Sequence, residues 1–365
     1  MAINSKEIES KMRKSNLSLK TLAIATLLSS SLFACGNPNQ NQSTTPESET
    51  TTAQTQSQEP VTITLVTYAV TRSAYEKIIP LFVEQWKTET GQTVTIEQSY
   101  GGSGSQTRAV IDGLEADIVA LALGSDINQI EEAGLIDPGW EAEAPRDSVI
   151  TSSVIAIVPR DPNLKITQWT DLAKNDLEII TANPKTSGGA RWNFLGLWGA
   201  ITQNGGTEAE AREFVSKIYK NAPILPKNAR ESTDVFYQQG QGDILLNYEN
   251  EVYLANLQGE EQPYTVLTDF NIAIDSPVAV VDKTVDKRNT REVSEAFVEF
   301  LFTPEAQGIF AEVGFRPTDP DVAAQVADQY PEIENLATIE DFGGWREAQP
   351  KFFGDGGIFD QIFQQ

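Results

Sequence analysis

From Val61 onward the chain alternates between two hydrophobic periods. VTITLVT alternates polar and β-branched or aliphatic residues and predicts a strand. In SAYEKIIPLFVEQWKTETG, Tyr75, Ile78, Ile79, Phe82 and Trp86 share one helical face, and Gly91 supplies a stop. Pro80 falls inside that pattern and predicts a kink or a cut in two. The strand TVTIEQ, a glycine loop opening a helix, the strand ADIVALAL and the helix DINQIEEAGLI complete three β–α units. They predict an α/β domain with a mainly parallel sheet covered by helices.

Two prolines, a glycine and a charge cluster between Asp137 and Ile150 interrupt the alternation, so a domain crossing is expected there. A second set follows: SSVIAIVP, LEIITAN, a helix from Arg191, a helix with Ala211, Phe214, Val215 and Ile218 on one face, and GDILLNY. SPVAVVD with the helices TREVSEAFVEFLF and PEAQGIFAEVGF reads as a return to the first domain. The expected layout is lobe 1 from residues 61–145 and 275–365 and lobe 2 from 146–274. A ligand cleft between the lobes follows from that layout.

The first 60 residues read differently. Lys11, Arg13, Lys14 and Lys20 precede the apolar run LAIATLLSSSLFA, an export signal expected over residues 1–34. The run is shorter than the roughly 20 apolar residues that span a bilayer. LFAC, ending in Cys35, resembles the lipobox of bacterial lipoproteins, whose cysteine is lipidated and becomes the new N-terminus. A soluble exported protein cut near the same place is the alternative. Cys35 is the single cysteine, so no intrachain disulfide exists. Residues 35–60 are almost free of aliphatic and aromatic side chains and predict a disordered tether.

Five of the 27 basic and two of the 52 acidic residues precede Cys35, leaving 22 against 50 and a net charge of −28 beyond it. That balance argues against nucleic acid and anionic lipid headgroups as partners and makes any anion site a local construction.

Such constructions are visible. At four strand-to-helix junctions, small or hydroxyl residues open a helix: VTYAVTRSAYE, SYGGSGSQTRAVIDG, TANPKTSGGARWNF and LPKNARESTDVF. Two fall in each expected lobe. A helix start carries unpaired N–H donors and about half a positive charge. Singly, each reads as an ordinary N-cap. Together, on the sheet edge that faces a crevice, they point to an oxyanion held without salt bridges. YGGSGSQ, KTSGGA and KNA contain no Asp or Glu. Hydrogen phosphate needs an acceptor for its proton, so the composition favours sulfate and leaves molybdate and tungstate open. Arg72, Arg108, Arg191 and Arg230 flank these loops. They read either as surface arginines or as a support that ties the loops down through carboxylates and carbonyls.

Enzyme readings lack their parts. The chain has no histidine, which removes Ser-His-Asp and Cys-His catalysis and imidazole metal ligation. GGSGS misses the nucleophile elbow at Ser105, and Thr107 stands where a dinucleotide fingerprint needs glycine. Glu249 and Glu251 in NYENE are the nearest candidates for a carboxylate pair. No metal or cofactor is expected.

With those residues in view, the chain resembles the bacterial sulfate/thiosulfate-binding proteins, the extracytoplasmic receptors of ABC importers. The likeness runs from about Val61 to the end and rests on QSYGGSGSQTRAVIDGLEADIVALAL, NPKTSGGARWNFLGLWG, AREST, GDILLNYENE, SPVAVVDK and FGGWREAQPKFFGDGGIFDQI. The resemblance implies a two-lobe type II periplasmic-binding-protein fold, a monomer, that closes over desolvated sulfate and delivers it to a permease. It implies backbone donors at Ala69, Ser103, Gly188, Gly189 and Ala229 and a hydroxyl donor at Ser187. The sequence departs from the family twice. Ala69-Val70-Thr71-Arg72 stands where the family begins Asp-Pro-Thr-Arg, and Tyr248 stands at its indole donor.

Overall fold

The computed structural model describes residues 59–363 except Asn175 and Glu261. The expected signal peptide, Cys35 and the tether up to residue 58 lie outside the described residues. The chain divides into two units, Met1–Gln54 and Thr55–Gln365, and everything below concerns the second.

Along the chain, β1 (Val61–Tyr68) leads through a 3-10 turn into α1 (Arg72–Thr90), then β2 (Val94–Gly101), α2 (Ser103–Ile111), β3 (Ile118–Ala120) and α3 (Gly124–Glu132). β4 (Val149–Ser152) and β5 (Ile155–Pro159) follow, then β6 (Ile179–Ile180), α4 (Gly188–Thr202), α5 (Glu208–Lys220), α6 (Ala229–Tyr237), β7 (Ile244–Tyr248) and α7 (Glu249–Leu257). β8 (Asn271–Ile272), β9 (Ser276–Val280), three further helices, β10 (Arg316–Pro317) and β11 (Leu336–Ala337) precede a helical C-terminal segment.

The large sheet has the order β10-β4-β9-β3-β1-β2 and the smaller one β5-β7-β6, while β8 and β11 form a separate parallel pair. The three β–α units pair in parallel as expected, β1 with both β2 and β3. The sheets as a whole are mixed, not mainly parallel. β9 runs antiparallel between β3 and β4, β10 runs antiparallel to β4, and β5 runs antiparallel to β7. The antiparallel strands flank the crossings: a chain leaving one sheet for the other and returning enters each in the opposite sense.

The crossing itself lies later than the charge cluster suggests. Val149–Ser152 pairs with β9 in the large sheet, and β5 is the first strand of the small one. Ser153 and Ile274 exchange backbone hydrogen bonds at 3.1 and 2.8 Å, so outgoing and returning segments are tied side by side between the sheets. The buried Asn271 side chain adds bonds to both the N–H and the C=O of Ile155.

Two other expectations change. Helix α1 runs unbroken through Pro80. Pro80 and Glu76 are both exposed, so the carbonyl that loses its partner meets water. The C-terminal segment does not complete lobe 1. Phe352, Phe353 and Phe359 surround Phe194 of α4 with ring centroids at 5.9, 5.4 and 6.2 Å, and Phe359 also meets Tyr219 of α5 at 5.4 Å. Aromatic edge-to-face packing makes this the core of the smaller lobe. The core of the larger lobe forms where Phe82 of α1 meets Phe297 at 5.0 Å and Tyr75 meets Phe310 at 6.0 Å.

Candidate functional site

The C-terminal edges of β1, β2, β3 and β7 and the starts of α2, α4 and α6 converge on one small cavity. Its lining is Tyr68, Ala69, Val70, Gly101, Gly102, Ser103, Ala122, Ser187, Gly188, Gly189, Asn228, Ala229 and Tyr248. All seven residues named from the sequence as ligand candidates are among them. The cavity is small: the space open to the centre of a water-sized sphere is about 10 Å³. The space suits a compact ion.

Each helix start presents its first amides, which the helix cannot pair. The side-chain caps serve later positions: the Ser187 hydroxyl accepts from the Ala190 amide at 3.4 Å, and Asn228 Oδ1 from the Glu231 amide at 2.9 Å. The amides of Ser103, Gly188, Gly189 and Ala229 stand ahead of those caps. Ala69 opens the short turn after β1, completing donors from both lobes.

Hydroxyls complete the wall. The Ser187 proton is given to no protein group among the described residues. Tyr248 is 1% exposed, and its hydroxyl has no partner among the described residues. Burial pushes that hydroxyl well above the ordinary tyrosine range, with Tyr68 and Glu251 adding to the rise, so it stays a neutral donor. Tyr68, in contrast, shares a 2.6 Å hydrogen bond with Ser276. Ser103 is occupied too: it donates to Asp126 at 2.6 Å and accepts from the Ala122 amide at 3.0 Å.

Glycine sets how closely the lobes meet. A Cβ on Gly102 would lie 2.5 Å from the Thr186 carbonyl oxygen and 3.0 Å from that of Lys227, both on the opposite lobe. A Cβ on Gly189 would overlap the Tyr248 ring. Among the described residues, no charged side chain lines the cavity. The field inside it is therefore that of amides, hydroxyls and helix dipoles.

The four arginines divide. Arg191, 5% exposed, donates to the Pro184 carbonyl at 2.9 Å and pairs across the lobes with Asp126 at 2.8 Å. Arg230 grips the buried Glu251 with two nitrogens at 2.6–3.1 Å. Arg108 reaches the Lys185 carbonyl of the other lobe at 3.3 Å. Arg72 ties no loop; its guanidinium lies 4.0 Å from the centroid of the Tyr100 ring. Glu249 and Glu251 do not form a reactive pair: Glu249 is bound by Arg316 at 2.7 Å and Glu251 by Arg230. Tyr68, Val70, Gly101 and Ala122 were not singled out by the sequence, and only Gly101 carried a local signal, as part of the glycine loop.

The family of bacterial extracellular solute-binding proteins matches residues 63–316. A sulfate-binding protein of Synechocystis sp. is 66% identical over 304 residues, which covers 83% of this chain and 86% of the relative. A thiosulfate-binding protein of Pseudomonas aeruginosa is 38% identical over 301 residues, 82% of this chain and 91% of that one. Among solved structures, the sulfate-binding protein SubI from Mycobacterium tuberculosis superposes with a TM-score of 0.73 at 35% identity, covering 80% of this chain and 99% of SubI. The chain belongs to the sulfate-binding proteins, within the bacterial extracellular solute-binding protein family.

Proposed function

We propose that this protein is an extracytoplasmic receptor that encloses sulfate between its lobes and delivers it to the permease of an ABC importer. One observation carries the reading: a small, ion-sized cavity is walled by uncharged donors from helix starts of both lobes and, among the described residues, by no carboxylate. Sulfate has no proton at neutral pH and needs only donors, whereas hydrogen phosphate requires an acceptor. The Ser187 hydroxyl, the Tyr248 hydroxyl and the amides at Ala69, Ser103, Gly188, Gly189 and Ala229 are the donors in this reading. Arg108, Arg191 and Arg230 hold the loops that carry them. Coordination is complete only when the lobes meet, so binding selects the closed state. The names of the relatives support sulfate over thiosulfate: the 66% relative is a sulfate-binding protein and the thiosulfate-binding one is 38% identical.

Calorimetry on protein stripped of anion tests the reading. Saturable sulfate binding, undisturbed by excess phosphate, is expected; no heat with sulfate overturns it. Lipidation at Cys35 would hold the receptor on the membrane. Its test is Cys35→Ser, which is expected to shift the mature protein from the membrane fraction to the soluble one.

A further inference from the structure

The helix that opens the anion site on the smaller lobe, α4, also grips the larger lobe with two consecutive side chains. Arg191 pairs with Asp126, and Trp192 Nε1 donates to the Ala122 carbonyl at 2.8 Å. Ala122 belongs to the wall of the anion cavity and lies between β3 and α3. Its amide donates to Ser103 Oγ at 3.0 Å, and Ser103 donates in turn to Asp126 at 2.6 Å. The bonds therefore close a ring across the lobes through Arg191, Asp126, Ser103, Ala122 and Trp192, none of them more than 5% exposed.

The two links across the lobes are not equivalent. When the lobes part, Arg191 keeps its bond to the Pro184 carbonyl and Asp126 keeps the Ser103 hydroxyl, each within its own lobe. The Trp192 N–H and the Ala122 carbonyl have only each other among the described residues. Both are 1% exposed, so in the closed protein neither has another way to be satisfied. The Trp192 ring is steadied from its own side by Trp345, edge to face with centroids 4.7 Å apart. The contact also bears on the anion wall. A Cβ on Gly188 would lie 2.6 Å from the Ala122 Cβ, so the start of α4 rests directly on the Ala122 segment.

We propose that Trp192 is a positioning residue that latches the closed state: its indole N–H reaches the Ala122 carbonyl only when the lobes meet, and the bond then holds the Gly188 and Gly189 amides against the anion. The inference rests on the sulfate reading and adds a kinetic part to it. A bond made only after closure leaves entry of the anion untouched and opposes reopening. Trp192 therefore acts on the dissociation rate and not on the association rate. It touches no anion itself, since it is absent from the cavity lining.

The test measures release of radiolabelled sulfate from the purified protein into excess unlabelled sulfate, with calorimetry giving the equilibrium affinity. Trp192→Phe removes the N–H together with ring volume. A second variant therefore carries benzothienylalanine at position 192, which keeps the two-ring shape and puts sulfur in place of the N–H. Release about tenfold faster is expected in both, with the affinity weakened by the same factor and the association rate unchanged. The melting temperature of the ligand-free benzothienylalanine variant should match wild type, because in the open protein the indole N–H meets water. In wild type, exchange of the Trp192 indole proton with solvent should slow about tenfold or more when sulfate saturates the protein. Unchanged release in the benzothienylalanine variant would overturn the proposal. So would faster release accompanied by an equal loss of ligand-free stability, which marks a packing role, or indole exchange that sulfate leaves alone. Wild type that binds sulfate while any of these holds loses the latch and keeps the anion reading; wild type that binds no sulfate loses both.

Discussion

Two helix starts bring a serine to the anion cavity, and the two serines are engaged differently. At the start of α2, Ser103 has both sides of its hydroxyl engaged, by the Asp126 carboxylate at 2.6 Å and the Ala122 amide at 3.0 Å. At the start of α4, Ser187 only accepts, from the Ala190 amide at 3.4 Å, and its proton has no taker among the described residues. Sequence neighbours do not reveal this, since both sit among glycines at a strand-to-helix turn. What separates them is the third dimension: Asp126, held by Arg191 across the lobes, lies beside Ser103. One start is therefore a structural knot that presents only its backbone, and the other presents backbone and hydroxyl together.

The largest effect is expected where the two starts come together. Gly102→Ala places a methyl against the carbonyls of Thr186 and Lys227. Gly102 has φ −71° and ψ 137°, a conformation alanine adopts freely, so the separated lobes are not strained by the change. The cost falls on closure, about 3 kcal/mol at the upper end of overpacking, or roughly a hundredfold in sulfate affinity. Calorimetry should show that loss, while the melting temperature of the ligand-free protein is lowered little by comparison.

Separating the serines comes next. Ser187→Ala should weaken sulfate by about 1–3 kcal/mol, the range for removing a donor from a buried group. It should lower the stability of the empty protein by only about 0.5 kcal/mol, the low end for losing an N-cap, since the Ala190 amide is held at 3.4 Å. Ser103→Ala should reverse the balance. It leaves the Ala122 amide without its acceptor and takes a donor from the buried Asp126, so thermal stability should fall by about 1–3 kcal/mol. Its sulfate amide survives. If both variants lose affinity equally without a difference in melting, the distinction between the two starts is wrong.

The serines also show how far the sequence could be read. The helix starts were legible because the signal is local: glycine, serine or asparagine at the end of a strand. Their convergence followed from the alternating α/β pattern, which puts strand ends and helix starts on one edge. Features decided by tertiary choice were not legible. Phe352, Phe353 and Phe359 look like any apolar segment, and nothing local tells which lobe's aromatic core they join. Val149–Ser152 has the same composition as a strand of either sheet, and its partner in β9 lies more than a hundred residues away. Arg72 follows its loop as Arg108, Arg191 and Arg230 do theirs, yet the nearby Tyr100 ring takes it out of the support role.

Tyr248 sharpens the comparison at smaller scale, because like Ser187 it has a donor that the protein leaves unmatched. Tyr248→Phe removes a hydroxyl whose burial costs stability in the empty protein and gains it back only on ligand binding. The melting temperature of the empty protein should stay level or rise, while sulfate weakens by about 0.5–1.5 kcal/mol. A drop in stability without a change in affinity would mean the hydroxyl faces something other than the anion.

The smallest expected effect is a null one, and it separates this site from one built on charges. Among the described residues, no carboxylate, amine or histidine lines the cavity. Its one titratable donor other than Tyr68 is Tyr248, pushed upward by burial, so its proton stays on through the alkaline range. The Tyr68 hydroxyl is raised as well, by burial against the opposing hydrogen bond to Ser276. Sulfate itself does not titrate there. Affinity at constant ionic strength should therefore be flat from about pH 5 to pH 9, a window that includes the ordinary titration of histidine and the α-amino group. A tenfold change across it would require a titrating group in contact with the anion, and the four helix starts would then not be sufficient to hold it.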